Sequence, residues 1–558
     1  MRAFNVRPNP ALATLFVTGA VQWGCAAYAQ TPPADSFRPI LNDFVGSIAL
    51  RADGRVLIGG GFTLADSFTH TRLASLGADG TTESSFTAAA SDTVYALAIQ
   101  PDGKILVAGD FMTLGGQLRR GLGRLNANGS LDAGFNARLF EPPPPPIGGS
   151  ITGRGQAVLI QPDGKIVVGG RSSYNGGPAG GFVTRVNTNG SADTAFVTGG
   201  IGGGPVDCLA LQPDGKILVG GLFSSVGNFT RYRLARLNAN GSLDTQFNAA
   251  VDQATGTWVL SMALQADQKI VIGGVFNTVA GQARTNIARL NADGSLDLDF
   301  NPGATGNNSS VYSVAIQADG KILVGGTFVS LAGASCYRVG RLDPDGTRDV
   351  SFNSGANSDV YGLALQPDGK VLAGGLIGQL AGQPRSYVGR LCNLEPARQR
   401  LDYDGVTITW KRGGSSCEVW QTSFDFSTDG IAWVNLGDGT RTPEGWQLTN
   451  VALQPGAQVR ARGYTTGGAY NSSSWFIETI WPPVAPAIAT GDAFFGVRSN
   501  QFGFSVSGTI GSTVVVEGSS DMTNWTSLGT NVLASSTLYF SDPDWGNTSS
   551  RFYRARLW

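Results

Sequence analysis

Apolar runs in this chain alternate with short polar turns at a steady rhythm. VDCLALQ (Val206 to Gln212) meets Pro-Asp-Gly and continues as KILVGG, and Asp-Gly between two β-branched runs predicts a hairpin. About ten Gly-rich residues later come LARLN (Leu234 to Asn238), the turn Ala-Asn-Gly-Ser and LDTQF (Leu243 to Phe247). Each unit therefore predicts four short antiparallel strands. The ILV run does not alternate with polar residues, which predicts a strand covered on both faces, and the Gly pair after it lets another backbone approach.

The unit recurs. Relatives of ALQPDGKILVGG (Ala210 to Gly221) begin at Ala49, Ala98, Leu159, Ala263, Ala315 and Ala364, seven copies in all, spaced 49, 61, 51, 53, 52 and 49 residues apart. Such a unit cannot bury its apolar face alone and must stack on its neighbours. Four antiparallel strands at this period predict a seven-bladed β-propeller rather than a solenoid, because a ring must close and the chain ends carry the means. The seventh copy stops after VGRLC (Val388 to Cys392) without a fourth strand, whereas ADSFRP (Ala34 to Pro39) supplies an Asp and a Phe. The N-terminal strand is expected to complete the last blade, although Asp35 lies two residues before Phe37 and Asp244 three before Phe247.

The units QPDGKILVGG and RLNANGSLDTQFN resemble the delta-60 repeat of bacterial exported proteins, and a second strand ending in Gly-Gly is similar to the kelch unit. The resemblance spans about residues 34 to 395 and implies a propeller. It transfers no catalytic motif.

The rest of the chain divides around this block. Arg2 and Arg7, the apolar segment Ala11 to Val21 and then Ala27, Tyr28 and Ala29 read as a signal peptide over residues 1–29, followed by the propeller over 30–395. Past Cys392 the strands VTITW, EVWQTSFDFSTDGIAWVNL, GWQLTNVAL and VRARGY predict a β-sandwich over 396–481, similar to a fibronectin type III module through its Trp on an early strand. Residues 482–486, with Pro482, Pro483 and Pro486, form a linker, and 487–558 predicts a second small sandwich. Its SSDMTNW (Ser519 to Trp525) echoes STDGIAW (Ser427 to Trp433), each read as a turn beside a packing Trp. Glu141 and the prolines from Pro142 to Pro146 predict a stiff polyproline II insertion.

Composition sharpens this picture in a few places. Glycine, at 79 of 558 residues, is about twice its usual share, and charged residues at 15% are scarce, as many tight turns and few surface helices require. Removing Arg2 and Arg7 with the leader takes the formal net charge from −1 to −3. That balance favours neither nucleic acid nor an anionic membrane, and no stretch after the leader is apolar enough for a membrane helix. Export permits disulfides, and Cys392 with Cys417 is the expected bridge, against the alternative of free buried thiols.

The chemistry is bounded by one histidine. A Ser-His-Asp triad would need His70, and a multi-histidine zinc site is excluded. Most propeller carboxylates recur from unit to unit (Asp102, Asp163 and Asp214 in the first turn; Asp132, Asp193 and Asp244 near the fourth strand), so they read as turn formers, while the unrepeated Asp66, Asp110, Glu141 and Asp252 show no pairing. The second turn, as in Asn291 to Asp297, offers oxygens for calcium, but EF-hand spacing and a bidentate Glu are missing, so a self-bonded turn is expected and no cofactor is assigned.

Five residues before the third-strand arginines Arg124, Arg236, Arg289 and Arg390 stand Arg119, Arg231, Arg284 and Arg385. His70 takes that place in the first unit, and Gly180 and Cys336 take it in the third and sixth. A circle of such residues would form an anion-binding face, and the third-strand arginines are expected to pair with the fourth-strand Asp. The reading is therefore an exported, non-enzymatic binding or scaffold protein, secreted or at the cell surface, with a propeller face for an extracellular glycan or protein and no membrane insertion. The alternatives are a carbohydrate-active enzyme with carboxylates in the channel and a purely structural surface protein.

Overall fold

The structure, a computed structural model, describes residues 34–558 apart from 138, 140–150, 175–179, 353, 455–456, 482–486, 491, 493, 499–500, 509–512, 534–536, 548–549 and 558. The expected signal peptide, the proline run and the linker lie outside the described residues. Among the described residues there is no α-helix, and seven blades follow the seven copies of the repeat.

The fourth unit shows how a blade is built. Val206–Leu211, Ile217–Gly221 and Leu234–Leu237 pair antiparallel in sequence order, with Leu209 opposite Val219 and Val219 opposite Ala235. Asp-Gly makes the first turn, where Gly215 takes φ 82°. The expected fourth strand is reduced to one bridge, Leu237 to Leu243. The cause is Asp244, whose side chain takes over from the ladder. Its Oδ1 accepts the Gln246 N–H at 3.1 Å and turns the chain, while Oδ2 accepts Arg236 Nε at 2.8 Å and Lys216 Nζ at 3.0 Å. The Arg236 guanidinium lies 4.5 Å from the centre of the Phe247 ring.

The same arginine joins the blades. Arg236 donates to the Ala292 carbonyl of the next blade at 2.6 Å, as Arg124 does to Thr188, Arg185 to Ala239, Arg289 to Pro344 and Arg390 to Ala78. Arg341 donates instead to Asn393 Oδ1. The first unit has Ser75 at this position, and Arg51 makes its link, to the Ala127 carbonyl at 2.7 Å. These seven links run round the whole ring, from the last blade back to the first. Asp35 occupies the place of the missing seventh Asp: Ala34 bridges Leu391, Arg390 Nε donates to Asp35 Oδ2 at 2.7 Å, and the Arg390 guanidinium lies 4.9 Å from the Phe37 ring.

Apolar packing between blades depends on the Gly pair. A Cβ on Gly59 would fall 2.6 Å from Val94 of the next blade, and one on Gly374 would fall 2.9 Å from Val45, again joining last to first. The second unit breaks the rule with Ala108, and there the facing valine of the next blade is replaced by Gly155.

The next module packs two sheets, one of Ala397–Tyr403, Ile408–Gly414, Gly445–Leu448 and Thr440–Thr442, the other of Gln421–Ser427, Val434–Asp438 and the long hairpin Gln458–Ala469 and Ser473–Trp481. It meets the propeller at the first-turn end of the inner strands, where Cys417 bridges Gln317 and Ala318 N–H donates to the Ser416 carbonyl. Its hairpin enters the central channel. Ala469 pairs with Gly362 of the seventh blade, and Ser474 pairs with Ala98 of the second.

The tip satisfies inner-strand groups that a bare channel would leave unpaired. Asn471 Oδ1 accepts Val314 N–H at 3.1 Å and Ser313 Oγ at 3.0 Å, and its Nδ2 donates to the Val314 carbonyl. Ser473 Oγ accepts Leu97 N–H, and the Ser472 carbonyl accepts Val158 N–H.

The last module has Phe502, Phe504, Val514, Val516 and Tyr553 at its centre. The two modules share one turn: Asp429 Oδ1 accepts the N–H groups of Ile431 and Ala432, and Asp521 Oδ1 those of Thr523 and Asn524. Trp433 and Trp525 follow, each stacked under an arginine, Arg460 and Arg554. Cys417 is a free, buried thiol, so the expected bridge from Cys392 to Cys417 is not formed.

Candidate functional site

Each of the seven inner strands has the same irregularity. The ladder slips once, and the residue at the slip, Gly46, Tyr95, Gln156, Asp207, Leu260, Tyr312 or Tyr361, is left out of the pairing as a bulge. A bulge re-aims a side chain and is a common device beside functional sites. All seven lie at the end of the inner strands away from the docked module, so they ring that mouth of the channel. Val, or once Gly155, precedes the bulge and a small residue follows it, whereas this column holds seven residues of five types that differ in charge and size.

Asp207 is the centre of the ring. It is 1% exposed, and its two oxygens accept Gln156 Nε2 at 2.8 Å and Trp258 Nε1 at 2.6 Å. Burial pushes its carboxyl up to about 7, against the two hydrogen bonds and the charges of Arg154 and Arg171. Beside it, Arg154 pairs with Asp110 at 3.2 Å and donates to the Tyr95 hydroxyl at 2.9 Å. Burial raises the Asp110 carboxyl, and Arg154 opposes it. On the other side Tyr312 and Tyr361 meet edge to face at 5.4 Å between ring centres, and Phe44 stands 6.0 Å from Tyr361. Tyr95, Gln156, Trp258, Tyr312 and Tyr361 are all half-buried.

The arginines expected to form an anion face do not do so. Arg119, Arg231, Arg284 and Arg385 are between 5% and 9% exposed and clamp the fourth segment of their own blades: Arg119 donates to the Phe135 carbonyl, Arg231 to Thr245, Arg284 to Leu298 and Arg385 to Asp35. Backbone carbonyls within each blade occupy these donors, so the circle is a set of internal struts. His70 is 3% exposed, and burial lowers its pKa, with the Asp66 charge opposing.

The third-strand arginines bind the fourth-segment Asp in the second to sixth blades. Of the unrepeated acids, Asp66 and Asp252 bond loop groups, and Glu141 lies outside the described residues. Asp293 Oδ1 accepts the N–H and hydroxyl of Ser295, which closes the turn on its own side chains. Among the described residues no group of three or more His, Cys, Asp or Glu side chains could hold a metal ion.

Asp207 is not marked by the repeat, because it does not recur at its position in the other units. Its signal is the reverse, a column inside a repeated strand whose residues change in charge and polarity from unit to unit.

Seven blades closed on one another define a β-propeller repeat protein. Residues 51–86, 100–135, 161–196, 212–247, 265–300, 317–352 and 366–391 match the family model of a domain of unknown function, the DUF5122 beta-propeller. Among solved structures, a catalytically inactive virginiamycin B lyase from Staphylococcus aureus with quinupristin is 11% identical, covers 64% of this chain and 99% of its own, and gives a TM-score of 0.33. A mutant GH43 protein, BlXynB from Bacillus licheniformis, is 8% identical over 94% of this chain and 100% of its own, with a TM-score of 0.20. No curated protein matches the chain.

Proposed function

We propose that this is an exported, non-enzymatic binding protein, secreted or held at the cell surface, whose propeller recognises a glycan at the bulge-ringed channel mouth. The observation that carries the reading is the gathering of the off-pattern side chains, aromatic and polar together, at the bulges of that one mouth. Ligand sites pair apolar walls with a few placed polar groups. Export rests on the leader read in residues 1–29, and the fibronectin type III likeness of residues 396–481 fits a surface protein built from small modules. No helix among the described residues is long and apolar enough to cross a membrane.

A glycosidase is the second reading, favoured by two off-pattern acids, Asp110 and Asp207, whose carboxyls are both raised. Against it, both Asp207 oxygens are engaged and Asp110 is held by Arg154. The test is glycan-array binding by the purified chain and by Tyr361→Ala. Binding that the variant loses, with no release of reducing sugar from the bound glycan, is the expected result. Hydrolysis abolished by Asp110→Asn would install the enzyme reading instead.

A further inference from the structure

The channel is closed from behind by the hairpin of the second module. Ala469, Asn471, Ser472 and Ser473 at its tip are buried, and Tyr470 is the one tip residue left half-buried. Its ring meets Tyr312 edge to face at 5.7 Å, and Asp207, Tyr361 and Tyr95 are near enough that each, when ionised, raises its phenol further. Tyr470 therefore lies inside the ring of bulged residues, as the floor of a cup whose wall is the propeller. The turn is costly for this residue. Tyr470 and Asn471 take φ 57° and 52°, a turn that suits Asn or Gly and strains a bulky side chain, and strain of this kind is concentrated at functional sites.

We infer that Tyr470 is a ligand-contacting residue supplied by the second module, and that the cup takes the end of a neutral saccharide chain. The inference rests on the binding function proposed above and names its ligand class. Three features argue for it. Two of the cations at the mouth are already held by carboxylates, Arg154 by Asp110 and Arg338 by Asp359. The rings of Phe44, Tyr361, Tyr312 and Tyr470 stand in edge contact as an apolar wall for the C–H face of a sugar. Among the described residues the hydroxyls of Tyr361 and Tyr470 make no hydrogen bond, and burial keeps both phenols protonated, so each can donate to and accept from a sugar hydroxyl. Because Asn471, Ser472 and Ser473 bond the surrounding strands, a chain cannot thread through and must enter end-on.

The test uses the full chain on a neutral-glycan array attached through the reducing ends, before and after enzymatic removal of the outermost sugar. Tyr470→Asn suits the left-handed turn and keeps the bonds of Asn471 and Ser473, so it removes the floor without undocking the module. The expected results are binding lost when the outermost sugar is removed, at least a hundredfold loss for Tyr470→Asn with an unchanged or higher Tm, and about a tenfold loss for Tyr470→Phe. Binding that tolerates trimming, or that Tyr470→Asn leaves intact while Tyr361→Ala abolishes it, overturns the inference and spares the proposed function. Absence of binding to every glycan by the unaltered chain refutes both.

Discussion

Asp207→Asn should remove a pH dependence that the unaltered protein carries. The carboxyl stands 1% exposed at the channel mouth, and burial moves it from the ordinary 3.8 to about 7. Between these values the unfolded chain has lost the proton and the folded chain keeps it. The native state then binds one more proton than the unfolded state, and stability falls by about 1.4 kcal/mol per pH unit as pH rises. The full penalty is about 4 kcal/mol, in place above pH 7, and about 3 kcal/mol of it accrues between pH 5 and pH 8.

Asn carries no charge and can keep both bonds. Its oxygen would accept Trp258 Nε1, and its amide would donate to Gln156 Oε1, which is buried without a partner and becomes available when that side chain turns over. Urea unfolding at pH 5 and pH 8, followed by tryptophan fluorescence, should find the variant more stable than the unaltered chain by about 3 kcal/mol more at pH 8 than at pH 5. All other titrating groups are common to both proteins and cancel in the comparison. Identical pH profiles for the two would refute the reasoning and show that Asp207 is ionised in the folded state at neutral pH.

Other expectations follow from single positions. Gln268 holds φ 66° where the other six first turns have Gly, so Gln268→Gly should stabilise the protein by about 0.5–1 kcal/mol in urea unfolding. Arg341→Ala should cost about 1.5–3 kcal/mol by the same assay, since Asp349 loses its guanidinium donor and keeps only Lys321 and Ser351, and Asn393 Oδ1 keeps only the Glu395 N–H. Burial raises the Asp349 carboxyl, but Lys321, Ser351 and Arg341 outweigh it and hold it below the usual range, so its share of stability should be intact at pH 7 and drain away as pH falls below about 4 in acid unfolding. Asn471→Ala leaves the Val314 N–H and carbonyl unpaired in the channel and should cost about 3 kcal/mol, seen as a lower Tm with earlier proteolysis of the hairpin.

The strand rhythm, the Asp-Gly turns and the seven copies were legible in the sequence because each is enforced within a unit. Even the Arg236 to Asp244 pair could be read, since both residues recur at a fixed offset. Two features were not legible. Position alone suggested a ring of Arg119, Arg231, Arg284 and Arg385, but equivalence in sequence says where residues recur and not whether their side chains point outward; carbonyls within each blade hold them. VRARGY (Val459 to Tyr464) reads as an ordinary sandwich strand, and nothing local marks Tyr470 or Asn471 as the occupants of a channel formed more than a hundred residues earlier.

What the sequence by itself determined is therefore the blade, its turns and its number, because hydrophobic alternation, turn chemistry and short-range pairing act between neighbours along the chain. What only the tertiary structure decided is the site. Seven bulged residues from distant units meet at one mouth, and a hairpin from another module closes it from behind. Burial alone, a property of the assembled ring, turns Asp207 from an ordinary acid into one protonated near neutral pH.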